Sequence, residues 1–136
     1  MLPFEFTVPG PPLSHQTAHR DRLAQWRETV LGAAMARWPA ADMPIAVPIQ
    51  ITVVYYHNGP TIQLDNDNLL KPIQDAMNGS MYVDDRLITD THVRKTALDG
   101  SFRIRGMSQV LADAFVGGRE FIYVRLDPAP DHEVLP

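Results

Sequence analysis

Between positions 65 and 90 the chain carries Asp65, Asp67, Asp75, Asp84, Asp85 and Asp90 against only two cations, Lys71 and Arg86. Asp65 and Asp67 are two residues apart, which in extended chain puts both carboxylates on one side. Asp67, Lys71 and Asp75 fall at i, i+4 and i+8, so in a helix they share a face. Asp84 and Asp85 are adjacent, and each raises the electrostatic cost of the other's charge. Carboxylates gathered in this way repel one another, and a hard divalent cation offsets them. Mg²⁺ takes oxygen ligands, typically one or two carboxylates with waters and substrate phosphate. Two such ions can activate a water and stabilise the leaving oxygen of a phosphodiester. A neighbouring lysine suits a non-bridging oxygen or the leaving group. The pattern points to metal-assisted phosphodiester hydrolysis.

Each piece taken alone has a plainer reading. Asp65 or Asp67 could cap the following helix, Asp75 could be solvated near a helix end, and Asp84-Asp85 could be a turn. One site that uses all of them is the more economical account of their joint occurrence. A calcium loop is excluded, because the run opening at Asp65 has Leu70 where an EF-hand needs Gly and Ala76 where it needs Glu. Asn78-Gly79-Ser80 matches a glycosylation acceptor but reads here as a turn.

The elements that must position these groups follow from periodicity. Leu2 to Val8 alternates apolar and polar residues, as a half-buried strand does, and Pro9-Gly10-Pro11-Pro12 ends it in a stiff loop through His15 and Gln16. Ala18 to Trp38 turns helical, with Leu23, Trp26, Val30, Ala33 and Ala34 on one stripe. Ala46 to His57, rich in β-branched and aromatic residues, reads as a strand buried on much of both faces, and Asn58-Gly59-Pro60 as a turn. Leu69 to Met77 reads as a short helix closed by Asn78-Gly79, with Pro72 in conflict because it lacks an N–H. Strands are expected at Leu87 to Leu98 and Arg119 to Leu126, with a short helix from Met107 to Phe115 between them. Asp127 to Pro136 reads as a flexible, Pro-rich tail. The order β–α–β–α–β–α–β predicts one α+β (mixed α/β) domain over residues 1–136: about four strands, two main helices and a short extra one.

Length and composition agree. The 136 residues suit one domain, and 45% hydrophobic content can bury a core without disulfides. The absence of cysteine excludes disulfides and thiolate zinc sites. Met1-Leu2-Pro3-Phe4-Glu5 lacks the basic start and apolar run of a signal peptide, and no window reaches a membrane-spanning length, so a cytoplasmic protein is expected. The net charge of −4 at first argues against a nucleic-acid partner. That excess, however, lies wholly in the 65–90 window; elsewhere ten basic and ten acidic side chains balance.

The run Asp65-Asn66-Asp67-Asn68-Leu69-Leu70-Lys71-Pro72-Ile73-Gln74-Asp75-Ala76-Met77-Asn78-Gly79, then Tyr82-Val83-Asp84-Asp85-Arg86-Leu87-Ile88, resembles the signature of the RusA family of Holliday junction resolvases. That signature is D-x-D-N-x-x-K-x-x-x-D-x-L-N-G, an aromatic, then D-D-x-Q-I. The opening strand, the Pro-rich loop and the long first helix are similar too, so the resemblance covers residues 2–98 well. It implies a Mg²⁺- or Mn²⁺-dependent endonuclease acting as a homodimer, nicking opposed strands of branched DNA at a four-way junction, with no small-molecule cofactor and no membrane. Position by position it implies Asp65, Asp67 and Asp85 as essential acidic residues that hold the metal and Lys71 as the essential lysine. Asp84 is implied as a supporting ligand or as a partner that holds a ligand in place, and Asp75 as structural.

Two departures bear on how DNA would be held. Family members can carry a basic run before the acidic motif, whereas Gly59 to Leu64 holds no basic residue. Ser101 to Gly118 is long for a link to the final strand. Phosphate contacts must then come from elsewhere, and the candidates are His15, Arg20, Arg94, Lys95, Arg103 and Arg105. Two other readings stay open: a nuclease of the same chemistry acting on other branched nucleic acids, and a non-catalytic binding protein with a structural cation.

Overall fold

The alternation of Leu2 to Val8 becomes strand β1 (Phe4–Pro9), which buries Phe4, Phe6 and Val8 and turns Glu5 and Thr7 to the other face. The computed structural model describes residues 2–59 and 64–134; Pro60 of the expected turn and the last two residues of the expected tail lie outside that range. The chain continues through α1 (Arg20–Met35), β2 (Ile49–His57), α2 (Asn66–Met77), a 3₁₀ turn (Asp85–Leu87), β3 (Ile88–Ala97), α3 (Gln109–Val116) and β4 (Phe121–Pro128). The result is the expected α+β domain, with one four-stranded sheet and three helices. No helix among the described residues is long and apolar enough to cross a membrane.

Boundaries differ from expectation where backbone chemistry intervenes. Strand β2 begins at Ile49, not Ala46, directly after Pro48, which has no N–H for the ladder. Asp127 and Pro128, grouped with the tail on sequence grounds, are the last residues of β4. The chain beyond them stays on the sheet edge, where Ala129 N–H donates to the Pro48 carbonyl and His132 Nε2 lies 2.7 Å from Asp90 Oδ1.

Strand order is β1-β4-β2-β3; only β2 and β3 are parallel. A parallel pair needs a crossover, and α2 supplies it. The cross-strand registers sort the side chains into rows. Phe6, Val124, Val53 and Val93 form one row, and Val8, Ile122, Tyr55 and Lys95 the next, on the face covered by α1 and α2. The opposite face carries the row Thr7, Tyr123, Val54 and Arg94 and the row Pro9, Phe121, Tyr56 and Thr96. There Val54, Tyr56, Phe121 and Tyr123 pack with Leu111 of α3 in a second, smaller core. Strand β2 therefore alternates in its first half and is buried on both faces in its second. Trp26, Trp38, Tyr55 and Phe121 are all core residues, as their apolar stripes predict.

Candidate active site

Helix α2 opens at Asn66, three residues before the sequence pattern suggests. Asp65 thus occupies the N-cap position, in extended backbone, and Asp67 lies in the first helical turn. The extended spacing expected for these two aspartates does not exist, since residues two apart on a helix do not face each other. Asp65 also does not do the work of a cap: its side chain accepts no capping hydrogen bond. Both carboxylates are exposed at the positive end of a helix dipole, where negative charge is favoured. The helix start is tied to the sheet edge, because Asn66 Nδ2 donates to the Val93 carbonyl and Lys95 Nζ to the Leu64 carbonyl.

One and a half turns on, Lys71 reaches two carboxylates. Its Nζ is 2.9 Å from Asp75 Oδ1 on the same helix and 3.8 Å from Asp85 Oδ2 beyond it. The hydrogen bond to Asp75, with the charges of Asp75 and Asp85, raises the Lys71 pKa above its ordinary value. Lys71 is therefore firmly cationic at neutral pH.

Pro72 sits inside the helix, not at its start, and the structure resolves the conflict it poses. Lacking an N–H, it leaves the carbonyl of Asn68, four residues back, without its helical donor. The backbone N–H of His15 donates to that carbonyl at 3.0 Å. The Pro-rich loop is thereby docked on the acidic helix, and Arg20 Nη1 fixes it further by donating to the His15 carbonyl at 2.9 Å. His15 then lines a cavity of about 320 Å³ with Asp67, Asn68, Leu70, Lys71 and Gln74. The other end of the loop depends on Gly10, whose N–H donates to the Glu120 carbonyl and where a Cβ would lie 3.1 Å from Glu120 Oε1.

Asp84 and Asp85 are presented by the 3₁₀ turn and divide the labour. Asp84 caps it, accepting from the Arg86 N–H at 3.1 Å and from Arg86 Nε at 2.9 Å. The backbone bond foremost, then a hydrogen bond with the Asp85 side chain and the bond to the Arg86 guanidinium, hold its pKa below the ordinary carboxylate value. Asp85 is left facing Lys71. The residue that holds this turn against α2 is Tyr82, fully buried, whose hydroxyl donates to the Gln74 carbonyl at 2.6 Å. Burial, then the charges of Asp85 and Asp75, push its phenol well above the ordinary value, so the donor proton is permanent. Sequence reasoning assigned Tyr82 no task. The signal was there as the aromatic position of the family signature.

The six candidate DNA contacts separate. His15, Arg20 and Lys95 belong to the acidic side through the loop and the helix start. Arg94 points to the opposite face of the sheet, where it lines a different cavity with Arg103 and Arg105. As for a metal, the donors on the acidic side are chiefly hard carboxylate oxygens, the kind of set that suits Mg²⁺, with the His15 imidazole, whose Nδ1 is buried without a partner among the described residues, in the cavity wall beside Asp67. Among the described residues the Asp65 and Asp67 carboxylates have no hydrogen-bond or ion-pair partner that would compete with a cation. Among the described residues no three of His, Cys, Asp and Glu yet stand together as a ligand group. Lys71 serves as the counter-charge to Asp85 instead.

Aspartates and a lysine brought together on a crossover helix and the turn after it belong chemically with enzymes that cleave phosphodiesters. The family is more specific. Residues 10–105 match the family model described as endodeoxyribonuclease RusA, a span that takes in the docking loop, α2 and the 3₁₀ turn. The chain belongs to this family of endodeoxyribonucleases, the Holliday junction resolvases. Comparison with curated proteins finds no match.

Proposed function

We propose that the protein is a Mg²⁺-dependent endodeoxyribonuclease, with Mn²⁺ as an alternative ion, that resolves four-way DNA junctions by paired phosphodiester hydrolysis in recombination and repair. The observation that carries this reading is Lys71 suspended between Asp75 and Asp85 on the rim that also presents Asp67. Asp65, Asp67 and Asp85 would hold the divalent ion, and Asp84 supports them by fixing the turn that aims Asp85. When bound, the ion supplies Lewis acidity toward the phosphate and lowers the pKa of a water. Lys71 contributes a fixed ammonium against the charge that develops on the phosphate oxygens. Asp75 orients that ammonium. The Pro-rich loop, docked through His15, forms the wall across from Lys71.

A four-way junction has two-fold symmetry, and a two-fold homodimer would place one site on each of two opposed strands. The proposed compartment is the cytoplasm.

The test is cleavage of labelled four-way junctions across Mg²⁺, Mn²⁺ and Ca²⁺, with flaps, forks and plain duplex at equal concentration. Junctions should be nicked symmetrically with Mg²⁺ or Mn²⁺, and Asp67→Asn should lose cleavage by at least two orders of magnitude while still binding the junction. Unchanged cleavage by that variant would remove Asp67 from the mechanism. Equal rates on duplex would remove junction selectivity. A stable monomer by sedimentation at micromolar concentration would remove the dimer.

A further inference from the structure

The face of the sheet away from the acidic cluster carries a second site. Between β2, β3, β4 and the stretch from residue 103 to 108 lies a cavity of about 550 Å³, whose lining includes Arg94, Arg103, Arg105, Arg125, Tyr56 and Tyr123. The lining holds four arginines and no carboxylate. Arg125 is neutralised from behind, with Nη1 3.1 Å from Glu5 Oε2 and Nε 2.9 Å from Asp127 Oδ2. Arg94, Arg103 and Arg105 have no hydrogen-bond or ion-pair partner among the described residues, and all are exposed at the rim. Three unpaired guanidiniums converging on one hollow repel each other, in a chain whose net charge is −4. Their planar forks match phosphate oxygens bidentately, better than any single carboxylate could satisfy all three. The hollow is within the size range of ligand sites and is floored by aromatic and aliphatic side chains of the smaller core.

We propose that this cavity is a phosphate-binding site, separate from the hydrolytic one. Its place on the fold favours a DNA strand as the source of the phosphate. Arg94 lies on edge strand β3 between Val93, whose carbonyl holds Asn66, and Lys95, which holds Leu64. The arginine cavity and the start of the acidic helix therefore lie on opposite faces of one edge strand, and branched DNA crossing that edge meets both. This reading rests on the proposed nuclease function only for the source of the phosphate. It also answers the missing basic run before Asp65: the grip on the backbone is supplied from β3 and from residues 103 and 105. A free polyphosphate or nucleotide offers the same chemistry and is the alternative source.

The experiment compares wild-type protein with Arg94→Gln/Arg103→Gln/Arg105→Gln, in chelator so that no cleavage intervenes. Junction affinity is measured against salt by anisotropy, and pyrophosphate is titrated in parallel while the arginine Nε resonances are followed by NMR. A DNA site predicts at least a tenfold loss of junction affinity in the variant and a log–log salt slope shallower by about 3, since each phosphate contact contributes about 0.9. A free-anion site predicts one pyrophosphate per protomer, arginine shifts that vanish in the variant, and unchanged junction affinity. Either result supports the site and names its source. Unchanged junction affinity together with no pyrophosphate-induced arginine shifts overturns it. If the triple variant does not fold, the wild-type titration and Arg94→Gln alone decide the matter in the same way. Failure of the wild type to cleave any junction would sink the nuclease reading and leave the pyrophosphate arm standing.

Discussion

Lys71 is the residue on which the acidic side turns. It precedes Asp75 by one helical turn, the less favourable order for such a pair, and Asp75 itself sits toward the negative end of the helix. The lysine therefore stabilises a carboxylate that the helix alone disfavours, and it holds its proton more tightly folded than unfolded. The stability gained from the pair is fully present below the ordinary lysine value of 10.5 and is lost as pH climbs through the raised one. Thermal melts of wild type and Lys71→Met should differ by the equivalent of about 0.5 kcal/mol or less near neutrality, because both side chains are partly solvated. The difference should shrink only as pH rises above 10.5. A difference that stays constant as pH is carried from below 10.5 to well above it would mean that packing of the lysine stem and not its charge was measured.

At the scale of elements, the site is an assembly of three pieces: a loop, a helix and a turn. The loop reaches the helix through a carbonyl that Pro72 leaves free, and the turn reaches it through Tyr82. Tyr82→Phe removes one hydrogen bond while keeping the buried ring. The Gln74 carbonyl it served still accepts from the Asn78 N–H, so no polar group is orphaned. The expected loss of stability is accordingly about 1 kcal/mol, measured by urea denaturation. Cleavage should fall more than that loss of stability implies, because the turn carries Asp85. Full activity in a destabilised Tyr82→Phe would show that the turn is held by other contacts. Most of these elements were legible in the sequence, since both alternation and helical stripes survive into the structure. Their ends were not. The start of α2 depends on Asn66 finding the Val93 carbonyl, and the start of β2 on Pro48, neither of which a hydrophobic pattern records.

For the whole molecule, charge is partitioned by the sheet. One face carries the carboxylates of α2 and the 3₁₀ turn, the other carries Asp90 and the arginines that are unpaired among the described residues, and α2 and α3 lie on opposite sides of the four strands. DNA approaching the acidic face should be repelled until a divalent ion is present. Junction binding by Lys71→Ala, which should keep the carboxylates and lose cleavage, is expected to strengthen at least tenfold on adding Mg²⁺ at constant ionic strength. Affinity indifferent to the ion would show that the aspartates do not face the substrate.

The sequence alone determined the order of the elements, the family, and the spacing of the carboxylates and lysine, because periodicity and residue spacing are local properties that the chain carries with it. Tertiary structure decided which groups meet. Strand direction placed β3 parallel to β2 and so brought Lys71 over Asp85. The pleat put Arg94 and Lys95, neighbours in the chain, on opposite faces. That separation sent Lys95 to the start of the acidic helix and Arg94 to a cavity of its own. Contacts between residues far apart in sequence depend on the path of the chain between them, and no local pattern contains that path.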